Sequence, residues 1–167
     1  DQYPFATVYD QELSVYAFRQ DNMSNPQWYE RVNTKVDVGE AIGVTRQHKS
    51  LLEHVAQEQS TGTTVVTFGS LTDIEKDAVR KDTEERYLSY VFLRQSGKQH
   101  SKLKMDLQND FTTGDDRYPK NRQSTLHLLD KYSKSTIVSN TTSEGTAFTQ
   151  RGGRNETFDA KYWKDKE

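Results

Sequence analysis

The sequence contains no cysteine. This absence excludes disulfide bonds, thiol catalysis and every zinc site that needs thiolate ligands. The sequence also lacks an apolar run near 18 residues, the length at which a helix can span a bilayer. No signal-peptide pattern opens the sequence, so we expect a cytoplasmic protein. Because the sequence starts at Asp1 rather than Met and stops in a charged run, we expect it to be a piece of a longer chain.

Hydrophobic residues are also scarce. Only 32% of the 167 residues are hydrophobic, whereas 29% are charged. So few apolar residues make a thin core for this length, and we expect part of the chain not to pack. The net charge of −2 provides no global field that would draw the protein to nucleic acid or to an anionic membrane. A Gly-rich phosphate loop, a nucleophile elbow and a Ser/His/Asp arrangement are all missing.

What is present is a helical spacing of apolar residues through the first 133 positions. Near the start, one face of a predicted helix carries Phe5, Tyr9, Leu13, Tyr16 and Gln20. The aromatic residues alone could also suit a strand, but their spacing is closer to 3.6 than to 2.

Two capping boxes predict where further helices begin. Ser24 is followed by Gln27 three positions later, and Thr72 is followed by Glu75 in the same way. The first box predicts a helix that runs to about Glu40. The second predicts a long helix whose charged first turns are exposed to solvent and whose apolar C-terminal half packs in the core.

Two more helices and a loop complete the central part of the chain. One helix is predicted to begin near Thr45, and another places Leu103, Leu107 and Phe111 on one face. The stretch "QSTGTTVVTFGS" favours a surface loop with some extended residues.

The segment "DFTTGDDRYPKNRQSTLHLLDKYS" predicts a connector between the last two helices. Gly114 lies where a helix end needs a left-handed residue. Pro119 cannot continue that helix, and it pushes Tyr118 into an extended conformation. Gly114, Tyr118 and Pro119 therefore form a predicted structural hinge. The aspartates of "GDD" are expected to accept hydrogen bonds from free backbone N–H groups near a helix start.

Together these patterns predict an all-α fold, a compact bundle of five to six helices in residues 1–133 followed by a flexible C-terminal tail. The tail, residues 134–167, is rich in Ser, Thr and Gly and cannot bury enough apolar surface to offset its ordering entropy. The predicted core consists of Trp28, Val32, Leu88, Phe92, Leu107, Leu126 and Leu129.

Candidate chemistry is sparse. "DFTTG" partly matches the Asp-Thr-Gly signature of aspartic proteases, but two residues separate Asp110 from Thr113-Gly114. The surrounding residues are also predicted to be helical, so we predict no catalytic residue. The four histidines are His48, His54, His100 and His127. They form no His-x-x-x-His pair and have no Glu-rich helix face beside them, so we predict solvent-exposed or half-buried side chains, no metal site and no cofactor.

A few basic residues are candidates for binding phosphates. Lys98, Lys102 and Lys104 lie close together in the sequence around the start of the fifth predicted helix, and Arg151 and Arg154 flank two glycines in the tail. Flexible arginines of this kind can contact phosphates and stacked bases. They keep open the hypothesis of a nucleic-acid-binding module. An enzyme of an unrecognised type also stays open, and it would need a pocket with convergent titratable groups.

The chain resembles the Gag-type, capsid-like protein of LTR retrotransposons, especially copia-type elements. The resemblance lies in two segments and their order, first "MSNPQWYERVNTKVDVGEAIG" and then "LRQSGKQHSKLKMDLQNDFTTGDDRYPKNRQSTLHLLDKYS". Three features carry the resemblance, which covers about residues 3 to 133. They are the Trp-Tyr-Glu-Arg-Val helix from Trp28 that ends at a Gly, the run from Leu103 to Gly114, and Tyr118-Pro119-Lys120 before "STLHLLDKY".

The resemblance implies a non-enzymatic helical domain that self-associates into capsid-like particles and packages element RNA. Its partners would be copies of itself and RNA, with no membrane and no small-molecule substrate. Such proteins commonly carry a Cys-Cys-His-Cys zinc knuckle downstream. This sequence has no cysteine, so we expect the knuckle to be missing or to lie beyond Glu167, and we predict no zinc for this chain. The Gln-Gly-x-x-Glu motif of retroviral capsids is also missing. A helical protein-interaction domain without capsid assembly is the remaining alternative.

Overall fold

The computed structural model describes residues 3–60, 62 and 64–133. This part of the chain is all-α, as predicted, with six α-helices and no strand. The helices are α1 (Pro4–Tyr16), α2 (Asn25–Ala41), α3 (Lys49–Gln59), α4 (Asp73–Arg94), α5 (Ser101–Thr112) and α6 (122–133). Single 3₁₀ turns lie at Phe68–Ser70 and Lys98–His100. No helix within these residues is both long and apolar enough to cross a bilayer.

The chain divides into two units, Asp1–Asp130 and Lys131–Glu167. The first unit contains α1 to α5 and most of α6. Of the second unit only residues 131–133 are described, and they are helical. The predicted tail, residues 134–167, lies outside the described residues.

Both predicted capping boxes are confirmed. Ser24 Oγ accepts a hydrogen bond from the backbone N–H of Gln27 at 3.4 Å, and the Gln27 side chain accepts one from Ser24 N–H. Thr72 and Glu75 make the same reciprocal pair at the start of α4. The hydrogen bonds from Thr72 hold the pKa of the Glu75 carboxyl below its usual value. Local chemistry therefore fixes the starts of α2 and α4.

The core forms around α2 and α4. Trp28 stacks on Phe92 with ring centroids 5.7 Å apart, and its indole N–H points at the Phe92 carbonyl oxygen, 3.4 Å away. Every predicted core residue is buried except Leu126, which is half-buried. Val15, Val36, Val79 and Leu93 complete much of the buried apolar surface.

Polar contacts position α6 against α4. Arg122 donates to both carboxylate oxygens of Glu85, at 3.2 and 3.1 Å, and to Asn33 Oδ1 at 2.8 Å. Burial alone would raise the pKa of the Glu85 carboxyl, but the hydrogen bonds from Arg122 outweigh it and lower that pKa. One turn further along α4, Ser89 Oγ lies 2.7 Å from Thr125 Oγ1.

The predicted start of the third helix near Thr45 is wrong, because α3 begins at Lys49. Gly43 adopts a positive φ of 83° after the end of α2, and Val44 N–H then donates to the Gly39 carbonyl. Residues 44–48 continue without helical structure, and the side chains of Val44 and Arg46 are buried. The burial of these two side chains, rather than helix propensity, explains the short segment before α3.

The prediction for the histidines is wrong at one position. His100 is completely buried, whereas His48, His54 and His127 are exposed. Burial lowers the pKa of the His100 imidazole, the nearby Lys104 ammonium lowers it further, and Asp130 acts in the opposite direction. Within the described residues, no group of three His, Asp or Glu side chains is arranged to hold a metal ion.

Candidate functional site

The predicted first helix is confirmed, but it ends at Tyr16 and does not include Gln20, and much of its predicted apolar face is open to solvent. Phe5 is 74% exposed, Tyr9 66% and Leu13 50%. Tyr3 lies just before the helix and packs its ring 5.3 Å from that of Phe5. We call these four residues the α1 stripe. Contiguous exposed aromatic side chains are unusual on an isolated domain and are typical of interaction surfaces.

A different face of α1 holds the helix in place. Val15 is buried, and the Gln11 side-chain amide donates to the Lys35 carbonyl of α2. Gly39 makes room for Gln11, since a Cβ there would lie 3.1 Å from the Gln11 amide nitrogen. The inner face of α1 is thus satisfied by α2, and the α1 stripe contributes little to that packing.

A second apolar surface lies between α3, α4 and the connector after α5. It is a groove of about 510 Å³. Its apolar and aromatic lining consists of Leu51, Val55, Tyr87, Tyr90, Phe111 and Tyr118, and we call it the α3–α4 groove. Tyr90 and Phe111 are about half exposed, and the Tyr118 ring meets both of them edge-on at 5.9 and 6.2 Å.

One of the three predicted hinge residues, Tyr118, lines this groove, and the other two lie in the same connector. Gly114 adopts a left-handed φ of 97°, as expected at a helix end. Ser89 Oγ on α4 donates to the Pro119 carbonyl oxygen at 3.0 Å, and Asp116 Oδ1 accepts from Tyr118 N–H at 3.1 Å. The contact with Ser89 ties the connector to α4. A role in setting the angle between α5 and α6 stays a prediction.

The charged side chains around the α3–α4 groove are paired with one another. Glu58 contacts Arg86 at 2.9 Å and His54 at 3.5 Å, and Lys120 pairs with Asp116. Burial alone would lower the pKa of the Arg86 guanidinium, but the hydrogen bond to Glu58 and the charge of Asp82 raise it. Because the acidic and basic side chains of the groove pair with one another, the groove favours an uncharged occupant.

One hydrogen bond joins the C-terminal end of α1 to the α3–α4 groove. Tyr16, at the end of α1, places its hydroxyl 3.1 Å from that of Tyr87, which lines the groove. Burial and this hydrogen bond raise the pKa of the Tyr16 hydroxyl. The ring of His48 packs edge-on against Tyr87 at 5.0 Å. The C-terminal end of α1 therefore borders the groove.

The structure separates the three lysines that were predicted to bind phosphates. Lys98 and Lys102 are exposed, whereas Lys104 is half-buried and donates to the carbonyls of Arg94 and Ser96 at 3.2 and 2.7 Å. Burial, and then the charges of Arg94 and Arg19, lower the pKa of the Lys104 ammonium. Lys104 thus stabilises the end of α4. The other two predicted residues, Arg151 and Arg154, lie outside the described residues.

Sequence reasoning missed two arginines that join this basic cluster. Arg19 and Lys98 line an open cavity of about 710 Å³ beside Gly97. The buried Gln20 holds the surrounding turns together, because its side-chain oxygen accepts from Gly97 N–H at 2.8 Å and its amide donates to Asn25 Oδ1 at 2.8 Å. The apolar periodicity of the sequence gave no sign of Arg19 and Arg94, because the turns of the folded chain bring them near the lysines.

The chain matches no protein-family model, no curated protein and no solved structure. The features of the chain that bear on its function are the α1 stripe, the α3–α4 groove and the basic cluster.

Proposed function

We propose that this chain is a non-enzymatic structural domain that self-associates through exposed aromatic side chains. The observation that carries the proposal is the α1 stripe, in which Tyr3, Phe5 and Tyr9 are each about two-thirds or more exposed. These side chains expose apolar surface to water, and a contact between two copies would bury that surface.

The stripe is large enough to form the centre of such a contact. An aromatic side chain buries about 150–250 Å² when it is fully covered. Because about two-thirds of each ring is exposed, the three rings offer about 300–500 Å², and Leu13 adds less. With the matching surface on a second copy this is about 600–1,000 Å², roughly half of a standard interface of about 1,600 Å², so neighbouring surface must contribute the rest. Rings of this kind are also the side chains that most often dominate binding energy.

The finer proposal is a Gag-type protein of an LTR retrotransposon, whose copies form capsid-like particles that package element RNA. Its support is the order of sequence features: the helix from Trp28, the run from Leu103 to Gly114, and the Tyr118-Pro119 step before the last helix. The all-α architecture is compatible with this proposal, and fold alone does not determine function.

The α1 stripe can be tested by removing its two central rings. We expect wild-type chain to grow in weight-average mass with concentration, and the Phe5→Ser/Tyr9→Ser variant to stay at the mass of one chain. Serine matches these aromatics in helix propensity, and both side chains are exposed, so α1 should persist. Light scattering coupled to size-exclusion chromatography measures the mass, and circular dichroism checks the helix content.

The control is Ile74→Ser, which removes an apolar side chain that is 83% exposed on the first turn of α4. This variant should associate as the wild type does. Association of the double variant at wild-type strength would show that the α1 stripe is not the contact surface.

Nucleic-acid binding is a second candidate, favoured by Arg19 and Lys98, which line one cavity, and by Arg94, whose charge acts on Lys104 together with that of Arg19. If each exposed lysine contacts one phosphate, Lys98→Ala/Lys102→Ala should reduce the slope of log K against log salt by about 1.4 on single-stranded RNA. Fluorescence anisotropy at several salt concentrations measures this slope.

The matched control for the RNA experiment is Lys49→Ala/Lys81→Ala, which removes two exposed lysines from α3 and α4. The control should keep the wild-type slope. Absence of any RNA binding at low salt would eliminate this candidate.

A further inference from the structure

We propose that the α1 stripe of one copy packs into the α3–α4 groove of a second copy. This inference rests on the proposed self-association and names its two surfaces. The two surfaces match in chemistry and in charge, and the contacts that hold α1 leave the stripe free for another copy.

The chemistry of the two surfaces is complementary. The groove presents the half-exposed rings of Tyr90 and Phe111, which already meet Tyr118 edge-on. Aromatic pairs in offset or edge-to-face geometry contribute about 0.5–1.5 kcal/mol beyond the surface they bury. Phe5 and Tyr9 are one helical turn apart, about 6 Å along the axis, and can enter the same groove together. A groove of about 510 Å³ has room for side chains of this size.

Charge also favours this occupant. The ion pairs of Glu58 with Arg86 and of Asp116 with Lys120 neutralise the groove internally. A charged peptide would have to compete with these pairs, whereas the α1 stripe contains no charged side chain. The groove therefore selects an uncharged aromatic surface, and each copy of the chain carries one.

The stripe cannot occupy the groove of its own chain. Tyr16 is hydrogen-bonded to Tyr87, Glu12 contacts the buried Arg46 at 3.4 Å, and Gln11 is bound to α2. These three contacts fix the position of α1 while the α1 stripe remains exposed. The contact must therefore form between copies. Since it joins two different surfaces, it can extend assembly beyond a pair unless the geometry closes a ring.

The absence of native cysteine permits a direct test by site-specific cross-linking. Leu13→Cys labels the α1 stripe and leaves its three rings intact. His54→Cys labels the groove at a side chain that is 71% exposed. The two variants are mixed under conditions of association and treated with a short bismaleimide, and intact-mass spectrometry separates mixed from homotypic products. Ile74→Cys replaces His54→Cys in the control mixture.

We expect a several-fold excess of the Leu13→Cys/His54→Cys product over the Leu13→Cys/Ile74→Cys product. A dominant Leu13→Cys homodimer would overturn this inference in favour of stripe-to-stripe pairing, while self-association would stand. Association without an excess of the mixed product would also overturn it. Absence of association at any concentration would overturn the proposed function, and this inference with it. Circular dichroism of each variant confirms that it is folded.

Discussion

Replacing Trp28 with alanine is expected to lower the free energy of unfolding by about 4 kcal/mol. Trp28 is completely buried, stacks on Phe92 and lies 5.0 Å from the ring of Phe18. The substitution removes a large apolar side chain where α2 meets α4, and the surrounding helices can close only part of the cavity. Urea unfolding followed by circular dichroism measures the loss.

Two further variants calibrate the Trp28 experiment. Trp28→Phe retains a ring against Phe92 but loses the indole N–H, so it should cost less than half as much. Ile74→Ala removes a highly exposed side chain and should change stability by no more than about 0.5 kcal/mol. A loss below about 1 kcal/mol for Trp28→Ala would contradict the placement of Trp28 at the centre of the core.

Neutralising Glu12 is expected to destabilise the fold by about 3 kcal/mol. Arg46 is 1% exposed, and its contact with a carboxylate is the 3.4 Å pair with Glu12. Its three guanidinium nitrogens have no hydrogen-bond partner among the described residues. Glu12→Gln preserves the size of the side chain but leaves a buried positive charge without its counter-ion. We expect a loss at the lower end of the range seen when one partner of a buried ion pair is removed, because the Glu12 side chain is 30% exposed.

The opposite substitution should behave differently. Arg46→Met removes the buried charge and fills a similar volume, so it is expected to be neutral or to raise stability by about 1–2 kcal/mol. Adding Glu12→Gln to Arg46→Met should then cost almost nothing. Urea unfolding of the four chains forms a double-mutant cycle. Equal costs of Glu12→Gln in both backgrounds would show that the pair is not coupled.

Features that depend on neighbouring residues were predictable from the sequence. The boxes at Ser24 and Thr72 involve partners three positions away, and the left-handed Gly114 follows from the geometry of a helix end. Trp28, Phe92 and Leu129 were recognisable as core because helical spacing places apolar residues on one face. These local rules were sufficient for the all-α class and for most helix boundaries.

Features that depend on distant segments were not predictable. Periodicity identified the face of α1 that carries Phe5 and Tyr9, but it could not reveal that the other described helices leave most of that face exposed. The burial of Arg46 and His100 likewise depends on contacts formed only in the folded chain. The α3–α4 groove escaped detection for the same reason, since its walls are two helices and a connector that lie up to about seventy positions apart in the sequence.

Self-association of the wild-type chain can be measured by light scattering from micromolar to millimolar concentration. We expect a weight-average mass that rises steadily above the 19.3 kDa of one chain. A mass that stays at one chain over the whole range would contradict it.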